Sequence, residues 1–169
     1  MRRILCGFLV AAFCLADSGA GISWTVPAAW KADAQRPMRL ATYTVAPGAE
    51  CAVYFFGSGQ GGSVDANLDR WIGQFQQPDG KPSKSAAKIA KRTIHAWPVT
   101  TVDVSGAYSG MGGPMAQSGS PAMPGYRMLA AIVEGPQGSV FFKFTGPAAA
   151  IAANQPAFQK MLESLGPVR

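Results

Sequence analysis

Five apolar side chains between residues 64 and 75 limit what this chain can fold into. Val64, Leu68, Trp71, Ile72 and Phe75 fall at offsets of zero, four, seven, eight and eleven, which draws one continuous stripe down an α-helix. Ser63 is placed to cap that helix, and Asp65 and Asp69 lie toward its positive end. A helix with one apolar face must lie on something apolar. The rest of the chain supplies strands.

Arg39, Ala41, Tyr43 and Val45 alternate with Leu40, Thr42 and Thr44, and Pro47-Gly48 then turns the chain into the apolar run Cys51–Phe56. Alternation followed by a turn reads as an antiparallel hairpin. Trp24-Thr25 opens the domain as a short strand. Lys88 to Tyr108 reads as two strands around a bend at Pro98, with His95 mid-strand. Tyr126–Val133 and Ser139–Phe144 form a second hairpin across Glu134-Gly135-Pro136-Gln137-Gly138. Gly146-Pro147 starts a short Ala-rich helix, since proline suits a first turn. A further helical stretch from Pro156 carries Phe158, Met161, Leu162 and Leu165. Hairpins and helices without a repeated strand-helix-strand rhythm predict an α+β fold with a mainly antiparallel sheet. One domain over residues 21–169 follows, with Trp24, Trp30, Trp71, Phe142 and Phe144 in its core.

Residues 1–20 read as a secretory signal peptide. Met1-Arg2-Arg3 gives the positive start and Ile4–Leu15 the apolar middle, while Ser18-Gly19-Ala20 offers small residues for cleavage. The apolar run is shorter than the about 20 residues a membrane-spanning helix needs. Cleavage is expected after Ala20, with Ala16 the second choice. Lipidation at Cys14 is disfavoured by the bulky Phe13 before it. The domain is therefore expected in the periplasm or outside the cell, with no transmembrane span. Cys51 is then its only cysteine, and its apolar neighbours predict burial. The whole chain has 15 Lys+Arg and 9 Asp+Glu. Without Arg2, Arg3 and Asp17, 13 and 8 remain, a formal charge of +5, compatible with an anionic envelope partner.

Two segments carry a family resemblance. Trp24-x-x-Pro27-x-x-Trp30 comes near the start, and Phe141-Phe142-Lys143-Phe144-Thr145-Gly146-Pro147 precedes the helix bearing Phe158 and Leu165. These are similar to exported bacterial proteins of the PsbP-like group (the Mog/PsbP-type fold). The resemblance covers most of residues 22 to 165 in element order. It implies a curved antiparallel sheet flanked by helices, shared with a photosystem extrinsic subunit and a Ran-binding nuclear import factor. It implies binding or assembly roles and carries over no catalytic residue.

Candidate chemistry is sparse. Gly57-x-Gly59-x-x-Gly62 matches the dinucleotide fingerprint, yet that motif also needs a parallel strand-helix-strand unit and an acid ending the next strand. Asp79 is the only acid at that distance, in a Pro-Asp-Gly turn. The bare amides of Gly59, Gln60, Gly61, Gly62 and Ser63 remain candidates for contact with a small anion or a partner. Ser63 with His95 and Asp103 would have to assemble a hydrolase from separate segments. One histidine and one cysteine leave little for a nitrogen- or thiolate-based metal site. Met111, Met115 and Met123, near Met128, lie in or beside a Gly/Met/Pro loop over residues 109–125 and offer thioethers to Cu(I). The alternative is apolar filler or recognition. Lys81, Lys84, Lys88, Lys91 and Arg92 form the densest basic run, without the interleaved aromatics expected of a nucleic-acid binder.

The leading expectation is an exported, non-catalytic module that binds a protein or envelope partner, with no nucleic acid and no resident cofactor. Loops 57–62 and 109–125 are the expected contact surfaces. A copper or small-anion handling protein is the alternative, and a hydrolase the third.

Overall fold

In a computed structural model of the chain, residues 16–110 and 122–168 are described. Two long strands organise the fold. β9 (Met123–Gly135) and β10 (Gly138–Pro147) pair from Gly135↔Gly138 to Tyr126↔Pro147, with Pro136-Gln137 as the turn between them. β10 also pairs with β5 (Ala49–Phe55), and β5 with β4 (Arg39–Ala46) and, beyond it, β3 (Lys31–Ala32). On the other side β9 pairs with β8 (Trp97–Tyr108). The outer edge of β8 takes β7 (Lys88–Ile94) along one half and β6 (Phe75–Gln76) at its end. Every pairing among the described strands of this sheet is antiparallel. A smaller sheet joins β1 (Ala16–Gly19), β2 (Ile22–Thr25) and β11 (Gly166–Pro167).

Period-two alternation gives the large sheet two buried faces. Phe142 and Phe144 point to one, with Val53, Leu129, Ala131 and Val133, and meet Trp24, Trp30 and Tyr43. α2 (Ala148–Glu163) covers this face with Phe158, Met161 and Leu162. Phe141 points to the opposite face, with Ile132, Met128, Val102 and Val104. There α1 (Val64–Ile72) lays down Leu68, Trp71 and Ile72. All five aromatic residues assigned to the core are buried. Cys51 is fully buried too, and burial raises its thiol pKa well above the ordinary value.

Several local expectations are corrected. The first helix stops at Ile72, because Gly73 propagates a helix poorly. Phe75 therefore leaves the helix and enters β6, yet it reaches the same apolar cluster. The bend between β7 and β8 falls at His95-Ala96, not Pro98. Ile94 and Trp97 close this two-residue turn, with His95 at φ 53°. Pro98 instead sits in the second position of β8, near a strand start where its missing N–H is tolerated. The two C-terminal helical stretches are one helix running through Pro156. Pro156 and Ala152 are both exposed, so the carbonyl that loses its partner faces water.

The described fold also includes Ala16–Ala20, which the sequence reading places in the leader. Ala16–Gly19 pairs with Ile22–Thr25 across a turn at Ala20-Gly21. No described helix is long and apolar enough to cross a membrane.

Candidate functional site

The two helices cover their faces unequally. α2 has 16 residues and α1 has 9, about 24 Å against about 14 Å at 1.5 Å per residue. Beyond the reach of α1, the sheet has a partly open cleft of ≈ 320 Å³. Its lining includes Arg39, Glu50, Tyr54, Lys143 and Thr145, with Tyr108, Tyr126 and Met123.

Lys143 is the unusual member. It follows Phe141 by two positions on β10, so alternation turns it to the α1 face. Its neighbours across the strands are Ala52 and Ala130, whose small side chains leave room above the sheet. Only 5% of the residue is exposed. Its Nζ donates to Gln74 Oε1 at 2.6 Å and to the Tyr108 hydroxyl at 3.2 Å. Among the described residues no carboxylate lies within ion-pair distance of it. Glu50, in the same cleft, is committed to Arg39 at 2.7 Å and Arg36 at 3.2 Å.

A buried ammonium without a counter-ion is costly to keep charged. Burial, helped by Arg70 and Arg39, brings the Lys143 pKa down to about 8. Burial also pushes Tyr108 up to about 12 and raises Tyr54. Thr145, two positions beyond Lys143 on the same face, has a buried hydroxyl with no partner among the described residues. Tyr108 and Tyr126 stack at 5.9 Å with planes 10° apart, forming an aromatic wall. Arg39 lies over the Tyr54 ring at 5.3 Å. The floor thus offers hydrogen-bond donors between aromatic walls, with one net positive charge in the lining.

The residues singled out from sequence lie elsewhere, apart from Met123. Ser63 caps α1 by accepting from the Ala66 N–H at 3.2 Å. The Gln60 N–H is taken by the Gly57 carbonyl, and Asn67 Nδ2 donates to the Gly61 carbonyl at 2.7 Å. Gly59, Gly61 and Gly62 all adopt positive φ. Ser63 shares a surface groove with Lys91 and Arg92, but Asp65 and Glu134 share it too. The antiparallel sheet around this loop lacks the parallel unit that a dinucleotide site requires.

Asp103 is gripped by Arg127 through two bonds of 2.8 Å. His95 sits in the β7–β8 turn, while Asp103 pairs with Lys88 at the far end of that hairpin. The strand between them separates the two by roughly 20 Å at 3.3 Å per residue. Met123, 41% exposed, lies on the rim of the cleft, and Met128 is fully buried. Met111 and Met115 lie outside the described residues, as does most of loop 109–125. Lys81 and Lys84 pair with Asp79 and Asp69, while Lys88, Lys91 and Arg92 are exposed on β7.

Sequence reasoning missed Lys143 as a site residue. The available signal was a single lysine inside Phe141-Phe142-Lys143-Phe144.

No family model matches the chain, and no curated protein matches it. Solved structures do. CyanoP, the cyanobacterial PsbP of Synechocystis, superposes with a TM-score of 0.57 at 10% identity, covering 96% of this chain and 97% of that one. A Pseudomonas aeruginosa protein of unknown function superposes with a TM-score of 0.46 at 11% identity, covering 92% and 98%. The CyanoP match establishes a PsbP-like fold, as the resemblance implied. At that identity the likeness is one of fold alone.

Proposed function

We propose that this chain is an exported, non-catalytic binding module and that its recognition site is the tyrosine-walled cleft over Lys143. One observation carries the reading: Lys143 is buried, has no carboxylate partner among the described residues, and lines a partly open cleft. Folding alone gains little from a buried unpaired charge, so a ligand that supplies the missing charge is the simplest reason to keep it. The PsbP-like architecture is compatible with an accessory role. The positive, apolar and small-residue segments of residues 1–20 support export.

A photo-crosslinking pair tests the site. p-Benzoylphenylalanine is placed at Met123 on the rim or at Ile89 on β7, positions that are 41% and 44% exposed. Irradiated cells are expected to yield an adduct, read by intact mass, at Met123 and not at Ile89. Adducts at Ile89 alone, or at neither position, would overturn the assignment.

A further inference from the structure

The cleft's hydrogen-bonding inventory is one-sided. Lys143 has three N–H donors, and its two protein acceptors leave one free. The Tyr108 hydroxyl accepts from Lys143, which leaves its own hydrogen to donate. The buried Thr145 hydroxyl has no partner among the described residues. The one carboxylate among the described lining residues, Glu50, is held by Arg36 and Arg39. A floor of donors is complemented by a group that only accepts, which an ionised carboxylate does.

Charge and size narrow the choice. Arg39 and Glu50 offset one another, so the lining carries the single charge of Lys143. One positive charge matches a monoanion. A phosphate monoester carries about −1.5 to −2 near neutral pH, and its second charge would lie beside Glu50. A volume of ≈ 320 Å³ sits at the low end of the roughly 300–1,000 Å³ range of small-ligand sites. The stacked Tyr108 and Tyr126 rings supply a flat apolar wall.

Resting on the cleft being the recognition site, we infer that its ligand is a monocarboxylate on a flat, apolar body, with the carboxylate at Lys143 and Thr145 and the body against Tyr108 and Tyr126. Such a group occurs in a free aromatic acid and at the C-terminus of a polypeptide ending in an aromatic residue. The recognised chemistry is the same. The bound carboxylate supplies the counter-ion that the described residues lack and favours the charged form of Lys143, so binding draws in a proton near pH 8.

The probes are 3-phenylpropionate, its amide, phenyl phosphate, and a short peptide ending in Phe with a free or amidated terminus. Binding is followed by NMR of the folded domain and by calorimetry at pH 8 in two buffers of different ionisation enthalpy. The free acids should bind at least tenfold tighter than their amides, with proton uptake, and should bind more weakly as pH rises above 8. Lys143→Met should abolish the acid–amide difference, and Thr145→Val should reduce it while leaving the spectrum of the fold intact. A peptide that outcompetes 3-phenylpropionate identifies a polypeptide terminus as the better source, and the reverse identifies a free acid. Equal binding of acid and amide, tighter binding of phenyl phosphate, or no binding by any probe would overturn the inference. An adduct at Met123 alongside that result would leave the cleft as the site and reject only the carboxylate.

Discussion

The buried Tyr43 hydroxyl donates to the Asp17 carboxylate at 2.7 Å, and the same oxygen accepts from the Trp24 indole at 2.8 Å. Asp17 thus joins the first strand to the main core. It lies three residues before Ala20, after which the sequence reading expects cleavage.

Cleavage after Ala20 would remove β1 and leave a buried hydroxyl without its acceptor, a penalty of about 1–3 kcal/mol. Cleavage after Ala16 keeps the bond. If a leader is removed, retention of this bond predicts cleavage after Ala16 and an N-terminus at Asp17, in place of the Gly21 that cleavage after Ala20 would give; intact mass or terminal sequencing checks it. A terminus at Gly21 would remove β1 from the working domain. Tyr43→Phe should lower stability by about 1–2 kcal/mol, because it strands the Trp24 N–H. That corresponds to a fall of several degrees in Tm.

Lys143 should give stability a distinctive pH dependence. Its folded pKa of about 8 lies below the unfolded value of about 10.4. Between those values the unfolded chain binds more protons, so this group makes stability rise with pH across that window. Below pH 8 its penalty is constant. Cys51 and the buried tyrosines act in the opposite direction, because their raised pKa values favour the unfolded chain once it ionises. The difference between wild type and Lys143→Met cancels those shared contributions. Denaturant titrations from pH 7 to 10.5 should show it shifting toward the wild type by roughly 3 kcal/mol. A flat difference would mean that the folded chain solvates Lys143 as well as water does.

Gly146 is constrained by space. A Cβ there would lie 2.6 Å from the Ala49 Cβ and 2.7 Å from its Cα, so β10 and the β4–β5 turn would have to separate. Gly146→Ala should cost about 1–3 kcal/mol by overpacking. Gly166→Ala is the control, since its nearest neighbour would be 3.7 Å away, an ordinary contact. Chemical denaturation should separate the two substitutions clearly.

Pro156 interrupts the hydrogen bonding of α2 without ending the helix. Its exposed position makes Pro156→Ala free of packing cost, and the restored N–H can bond within the helix. The expected gain is about 1–3 kcal/mol, read as a higher Tm. No gain would mean that proline's stiffening of the unfolded chain offsets the lost bond.

Much of the architecture was local enough to read from sequence. Alternation around Tyr43, the stripe Val64–Leu68–Trp71–Ile72 and the Glu134–Gly138 turn each specify an element through neighbours a few residues away. The errors also have local causes. Gly73 ended a helix whose apolar spacing continued to Phe75, and a two-residue turn at His95-Ala96 replaced the bend expected of Pro98. Pro156 was overridden because tertiary packing of Phe158, Met161 and Leu162 held the helix across it.

The cleft was legible only in part. Sequence alternation determines that Lys143 and Phe141 share one face of β10 and that Phe142 and Phe144 share the other. It does not determine what covers each face. That depends on α1 being shorter than α2 and docking over Phe141, on Gln74 and Tyr108 arriving from distant segments, and on Ala52 and Ala130 lying beside Lys143. A lysine in an apolar run could equally have met solvent or a carboxylate. Only the tertiary packing left it buried, without a carboxylate partner among the described residues and beside a cleft, because coverage of a sheet face is a property of neighbouring elements and not of the strand itself.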